Sequence, residues 1–129
     1  IAPINAINYN NAIPIFMDSD DYYNIDINKT IDFIINNTVF RNGYTFNNKT
    51  NRKITAIILV HVFGNACLFD DLIELCNERK ISILEDASES LGSFYNNKYD
   101  DKHTGLIGEL PLENSSTSIQ STGQKGTQT

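Results

Sequence analysis

The chain is short of positive charge. Ten Lys and Arg stand against 16 Asp and Glu in 129 residues, a formal net charge of −6, whereas a protein that neutralises a phosphate backbone needs clustered cations. No nucleic-acid partner is expected. Long apolar runs are missing too, since nothing approaches the roughly 18 to 20 residues that cross a bilayer. The opening Ile1-Ala2-Pro3-Ile4-Asn5 has neither the basic nor the apolar region of a secretory signal, so no membrane partner and a cytoplasmic location are expected. Cysteine is scarce: Cys67 and Cys76 stand alone, where small secreted domains carry several in even, spaced sets. Free thiols follow. Metal patterns are lacking as well, because His61, Cys67, Cys76 and His103 show no zinc spacing. Asp18, Asp20 and Asp21 open like a calcium loop, but Tyr23 and Lys29 stand where Gly and Glu are required. Asn28-Lys29-Thr30 and Asn48-Lys49-Thr50 match glycosylation acceptors, a match without meaning in a chain that is not expected to be secreted.

What is present suits one globular unit: 40% of residues are apolar and 20% charged. A domain of this length hides roughly two-thirds of its unfolded surface only if the whole length takes part. The last stretch is not expected to. From Pro111 to Thr129 the large apolar side chains are Leu112 and Ile119, too few to offset an ordering cost of about 1 to 2 kcal/mol per residue. The expected organisation is therefore a folded part over residues 1–110 and a disordered or frameshifted tail over 111–129. A first residue of Ile rather than Met reads as truncation.

Short elements follow one another along the folded part. Ile13-Pro14-Ile15-Phe16-Met17 closed by Asp18-Ser19-Asp20-Asp21 predicts a buried strand and a polar turn. Ile31, Ile34 and Ile35 at helical spacing predict a helix over residues 29–37 with Asn28 as its N-cap. The polar, Asn-rich Phe40 to Lys53 segment around Gly43 has no sustained period and reads as a loop. Residues 54–60, Ile-Thr-Ala-Ile-Ile-Leu-Val, form the clearest strand, apolar at nearly every position as in a parallel sheet covered on both faces. Leu68, Leu72, Leu75, Cys76 and Arg79 mark one stripe of a helix, and Ile81 to Glu85 forms the next strand. That strand, helix, strand unit implies a right-handed parallel crossover. Farther on, Asn96-Asn97 between Gly92-Ser93-Phe94-Tyr95 and Lys98-Tyr99 suits a hairpin, and residues 104–108 a flexible connection. The fold class is α/β, a partial three-layer sandwich with a mainly parallel sheet.

In open α/β sheets ligands bind outside the carboxyl ends of the strands. Those ends carry His61 after one strand and Asp86, Ser88 and Glu89 after the other, four residues expected to lie near one another. Their contexts are specific: Ala56 to Gly64 (AIILVHVFG), Leu84 to Gly92 (LEDASESLG) and Gly105 to Glu109 (GLIGE) resemble, in order, the signatures of the DegT/DnrJ/StrS sugar aminotransferases. These are fold type I pyridoxal-phosphate enzymes. The resemblance includes Ala2 to Ala6 and runs in one register over roughly residues 1 to 110. The Phe40 to Arg52 insertion and the Gly64-Asn65-Ala66 turn are similar to the branch that makes 4-amino sugars for legionaminic acid and related surface sugars.

The resemblance implies a function for particular residues. Asp86 falls where the family's aspartate meets the pyridine nitrogen of pyridoxal 5'-phosphate, and a carboxylate beside that nitrogen stabilises the protonated ring. Glu89 stands where most members have a Gln facing the cofactor's phenolic oxygen, and an ionised Glu would repel it. His61 is expected to line the pocket under the ring or touch the substrate. The resemblance also implies glutamate and a nucleotide-linked keto sugar as substrates, and a homodimer.

Two parts of the family pattern are not in this sequence. The Gly-Thr or Gly-Ser turn that holds the phosphate would precede Ile1. The Ser-Phe-x-x-x-Lys segment carrying the Schiff-base lysine should follow Glu109, where Pro111 onward departs from the pattern. Lys125, in Gly-Gln-Lys-Gly, has neither its spacing nor its aromatic neighbour, so no catalytic lysine is assigned. Two other readings stay open at this point: a non-catalytic remnant, and an acidic receiver-like module that takes a phosphoryl group on an aspartate.

Overall fold

The computed structural model of the protein describes residues 1–95 and 102–107. It begins with helix α1 (Ala2–Tyr9), which has Pro at its start, where a missing amide hydrogen costs nothing, and no buried residue. Residues 12–18 follow without regular structure. The strand expected at Ile13 to Met17 is therefore absent. A strand exists by pairing, and no ladder reaches these residues; Ile13, Ile15 and Phe16 keep 60%, 45% and 75% of their surface in solvent. The loop behind them is closed by an isolated antiparallel bridge between Ser19 and Ile25.

Helix α2 (Ile27–Asn37) is capped by Asp26, whose side chain accepts from the Lys29 amide. Asp26 thus takes the role expected of Asn28, and the helix starts slightly earlier. It buries Thr30 and Ile34. The segment read as a loop is a small antiparallel sheet of β1 (Thr38–Arg41), β2 (Tyr44–Asn47) and β3 (Lys53–Ile54). Asn42 and Gly43 both have positive φ, 51° and 78°, the backbone sense that a tight two-residue hairpin turn needs. Thr45 is fully buried, and its hydroxyl donates to the Arg79 carbonyl at 2.6 Å. This contact docks the hairpin at the far end of the next helix.

The central unit matches expectation except at its start, where the strand expected over residues 54–60 is broken and Ile54 pairs with Thr45 in the antiparallel sheet. Strands β4 (Ala56–Val60) and β5 (Ser82–Asp86) pair in parallel, with Leu59 beside Glu85 and Val60 beside Asp86. Helix α3 (Asp70–Arg79) joins them, ending at Lys80 in the left-handed conformation. Leu72 and Cys76 of the predicted stripe are buried, while Leu68 lies before the helix and is 57% exposed. Cys67 and Cys76 are free and buried.

Because strand side chains alternate, Ile57, Leu59, His61, Ile83 and Glu85 share one face and Ile58, Val60, Leu84 and Asp86 the other. The first face holds the core, where Leu59, Ile81 and Ile83 meet Ile34 of α2 and Leu72 and Cys76 of α3. Within the expected hairpin, Phe94 pairs antiparallel with His103; its Asn96-Asn97 turn and the segment 108–129, including the expected tail, lie outside the described residues. No helix among the described residues is long and apolar enough to cross a membrane.

Candidate cofactor site

The outer face of the parallel pair ends in a solvent-open concavity of about 400 Å³. Ala2, Pro3 and Ala6 of α1 form one wall; Ile58, Leu84, Asp86 and Ala87 form the other. Asp86 is the last residue of β5, so its carboxylate stands on the carboxyl rim beside apolar walls. The Ser88 amide at 3.1 Å and the Ser88 hydroxyl at 2.6 Å both donate to its Oδ1. These bonds favour the charged form, and they hold the Asp86 carboxyl below its ordinary pKa. Among the described residues no donor reaches Oδ2, which leaves one anionic oxygen for a ligand.

Of the four residues expected together, Asp86 and Ser88 are joined. Glu89 turns away from the concavity: exposed, it accepts from the Phe63 amide at 3.1 Å and braces the sharp turn after β4. Phe63 has φ 54° there, and Gly64 follows at φ 80°. His61 does not line the concavity. Strand alternation sends its ring to the opposite face, where it is fully buried. The Cys67 amide donates to its Nδ1 at 3.0 Å, so Nε2 carries the hydrogen that points at Glu85 Oε2, 2.9 Å away. Its buried surroundings give it a structural place, not a ligand-facing one.

Sequence reasoning passed over Glu85. The same alternation that turns Asp86 outward turns Glu85 inward, with its side chain 1% exposed. It accepts from Tyr95 Oη, the Gly105 amide (2.7 Å) and, at Oε1, the Ile107 amide (2.7 Å). Burial first, then the hydrogen bond to Glu85, raises the Tyr95 phenol far above its usual range, so it remains a neutral donor. Residues 104–107, expected to be a flexible connection, are thus fastened to the sheet. The signal was a charged residue in an otherwise apolar strand, one position out of phase with Asp86.

The residues present fit the ring end of the cofactor that the resemblance implies. An ionised carboxylate with a free oxygen is what a protonated pyridine nitrogen requires, and Ile58, Leu84, Ala2 and Pro3 offer apolar surface to a flat ring. Among the described residues that line this rim, none supplies a phosphate cradle.

Comparison with known proteins agrees with that chemistry. Over 110 residues the chain is 33% identical to a GDP-perosamine synthase of Escherichia coli O157:H7, an alignment covering 85% of this chain and 25% of that protein. It is 28% identical over 99 residues to the Bacillus subtilis putative pyridoxal phosphate-dependent aminotransferase EpsN, covering 76% of this chain and 23% of that one. It is 27% identical over 99 residues to a dTDP-3-amino-3,6-dideoxy-alpha-D-galactopyranose transaminase of Aneurinibacillus thermoaerophilus, covering 76% and 23%. The chain spans about a quarter of the length of these relatives. A family model matches residues 1–112. The chain belongs to the DegT/DnrJ/EryC1/StrS aminotransferase family.

Proposed function

We propose that this chain supplies the ring-nitrogen side of a pyridoxal-phosphate site in an aminotransferase that moves an amino group from glutamate onto a nucleotide-linked keto sugar. The observation that carries the reading is Asp86: ionised, on the carboxyl rim, beside an apolar concavity, with one oxygen unoccupied by protein donors. The bound cofactor supplies an electron sink for charge that develops beside the transferred nitrogen. Asp86 holds the proton on the pyridine nitrogen. Ser88 keeps Asp86 ionised and aimed. Ile58, Leu84, Ala2 and Pro3 would put apolar surface against the ring, which lowers the local dielectric and strengthens the ion pair.

The substrate class follows from relatives whose names specify GDP- and dTDP-linked sugars, so a nucleotide-linked sugar is the common element. The finer branch, 4-amino sugars for legionaminic acid and related nonulosonic acids, rests on the Phe40 to Arg52 insertion and the Gly64-Asn65-Ala66 turn. A homodimer and a cytoplasmic location belong to the same proposal. The test is transfer of label: with ¹⁵N-glutamate and a nucleotide-linked keto sugar, the gene product carrying these residues should place ¹⁵N on the sugar. Asp86→Asn should slow that transfer about 100-fold, the scale of losing one preorganised electrostatic contact. An Asp86→Asn protein that turns over at the wild-type rate would refute the assignment.

A further inference from the structure

The polar network behind the sheet does no ligand chemistry, since His61 and the Glu85 side chain are 0% and 1% exposed. Its members are nevertheless arranged around one segment. Glu85 takes the amides of Gly105 and Ile107, one on each carboxylate oxygen, while His61 and Tyr95 also meet Oε2. Thr104, between these contacts and the Phe94 to His103 pairing, donates its hydroxyl to the Ser90 carbonyl at 3.0 Å and its amide to the Ser93 carbonyl at 3.1 Å. The segment is therefore gripped from both sides.

The grip reaches the rim through Gly105. Its φ is +86°, and a Cβ at that position would come within 3.0 Å of the Ala87 Cβ. Ala87 follows Asp86 directly and lines the concavity. Only a residue without a side chain lets the segment lie this close against the strand end. Two adjacent carboxylates thus face opposite ways: Asp86 toward the concavity, and Glu85 toward the backbone that supports Ala87 from behind.

We infer that Glu85 is a positioning residue for the cofactor face, fixing residues 104–107 against Ala87 so that the rim holding Asp86 has one geometry. For its ligand the inference rests on the cofactor reading above; the anchor itself rests on the contacts of Glu85. Replacement by Gln keeps the shape but substitutes an NH₂ for an acceptor, so at least one of the two amides must lose its carboxylate partner.

The experiment compares the 129-residue chain with its Glu85→Gln and Gly105→Ala variants by amide hydrogen exchange and by equilibrium dialysis against pyridoxal phosphate. In Glu85→Gln the amides of Gly105 and Ile107 should exchange about 10-fold faster or more relative to Leu59 and Ile83, and the dissociation constant for pyridoxal phosphate should rise about 10-fold. Gly105→Ala, which leaves the carboxylate in place and displaces the segment from Ala87, should weaken binding to a similar degree. Unchanged exchange in Glu85→Gln overturns the anchor. Faster exchange with unchanged affinity overturns its link to the cofactor face. Should Glu85→Gln fail to fold, Gly105→Ala decides, and wild-type affinity in that variant overturns the inference. If the 129-residue chain takes up no pyridoxal phosphate, exchange alone decides the anchor, and the cofactor reading is decided by the ¹⁵N-transfer assay of Asp86→Asn.

Discussion

Removing the His61 ring should unfold the core more readily than it disturbs the rim. In His61→Ala the buried Cys67 amide loses its acceptor at 3.0 Å, a desolvated donor left unpaired at a cost of about 1 to 3 kcal/mol. Glu85 keeps Tyr95 Oη and two backbone amides but loses its imidazole partner at 2.9 Å. What Glu85 loses is one hydrogen bond from an imidazole nitrogen to a carboxylate, about 1.5 to 3 kcal/mol. The ring also packs against Phe69 and Tyr95, at centroid distances of 6.5 and 5.9 Å, and its loss leaves a void. These contributions overlap, so about 3 kcal/mol is the working figure, a large share of the roughly 5 to 15 kcal/mol that holds a domain together. With a urea slope of about 1.5 kcal/mol per molar, the midpoint falls by about 2 M. Asp86→Asn, part-buried and with its side chain bonded to Ser88 alone among the described residues, should move it by about 0.5 M or less. Urea titration followed by circular dichroism at pH 7.5 measures both. A His61→Ala midpoint within about 0.3 M of wild type would refute the reasoning, because it would mean that the buried network contributes nothing.

Three further outcomes follow from the geometry. Ser88→Ala should raise the Asp86 pKa toward the ordinary carboxylate value of about 3.9, as read by carbon NMR titration. Because the folded-state pKa is depressed, the stability Asp86 contributes is present above the unfolded value and lost as pH falls through the folded one, so Ser88→Ala should shrink that acid-limb loss. Burial pushes the Cys67 and Cys76 thiols up to about 12; at pH 7.5 a disulfide reagent should leave both unmodified in native protein and label both in urea, and fast native labelling would contradict their burial. Thr45→Val deletes the hydroxyl that bonds the Arg79 carbonyl and should cost about 1 to 2 kcal/mol in thermal unfolding, with protection lost first in the hairpin.

How much of this was legible in the sequence depended on the physical signal each element emits. Residues 56–60 and 81–85 announced themselves by a nearly continuous apolar run, although that run did not show that Ile54 pairs in the other sheet or that Leu84 stays 38% exposed, and the stripe through Leu72 and Cys76 has helical spacing that packing alone explains. The place of Asp86 at the end of a strand was legible from the apolar run before it; its role toward a cofactor is the proposal made above. The three-stranded sheet was missed although Asn42-Gly43 is a strong hairpin turn, since Arg41, Asn47 and Lys53 dilute the alternation and the strands run only two to four residues. The strand expected at Ile13 to Met17 failed for the converse reason: apolar character is local, whereas a ladder needs a neighbour. His61 and Glu85 were misjudged or passed over because proximity in sequence to the rim says nothing about face. Alternation along β4 and β5, with Leu59 beside Glu85 and Val60 beside Asp86, puts them behind the sheet, a phase that their positions next to Val60 and Asp86 already carried.

The central claim is that the Asp86 carboxylate holds a proton on the cofactor's ring nitrogen. Its most direct test is the nitrogen NMR signal of pyridoxal phosphate labelled with ¹⁵N in the ring, bound to wild type and to Asp86→Asn at pH 7.5. The account predicts a protonated ring nitrogen in wild type and an unprotonated one in the variant; the same signal in both would contradict it.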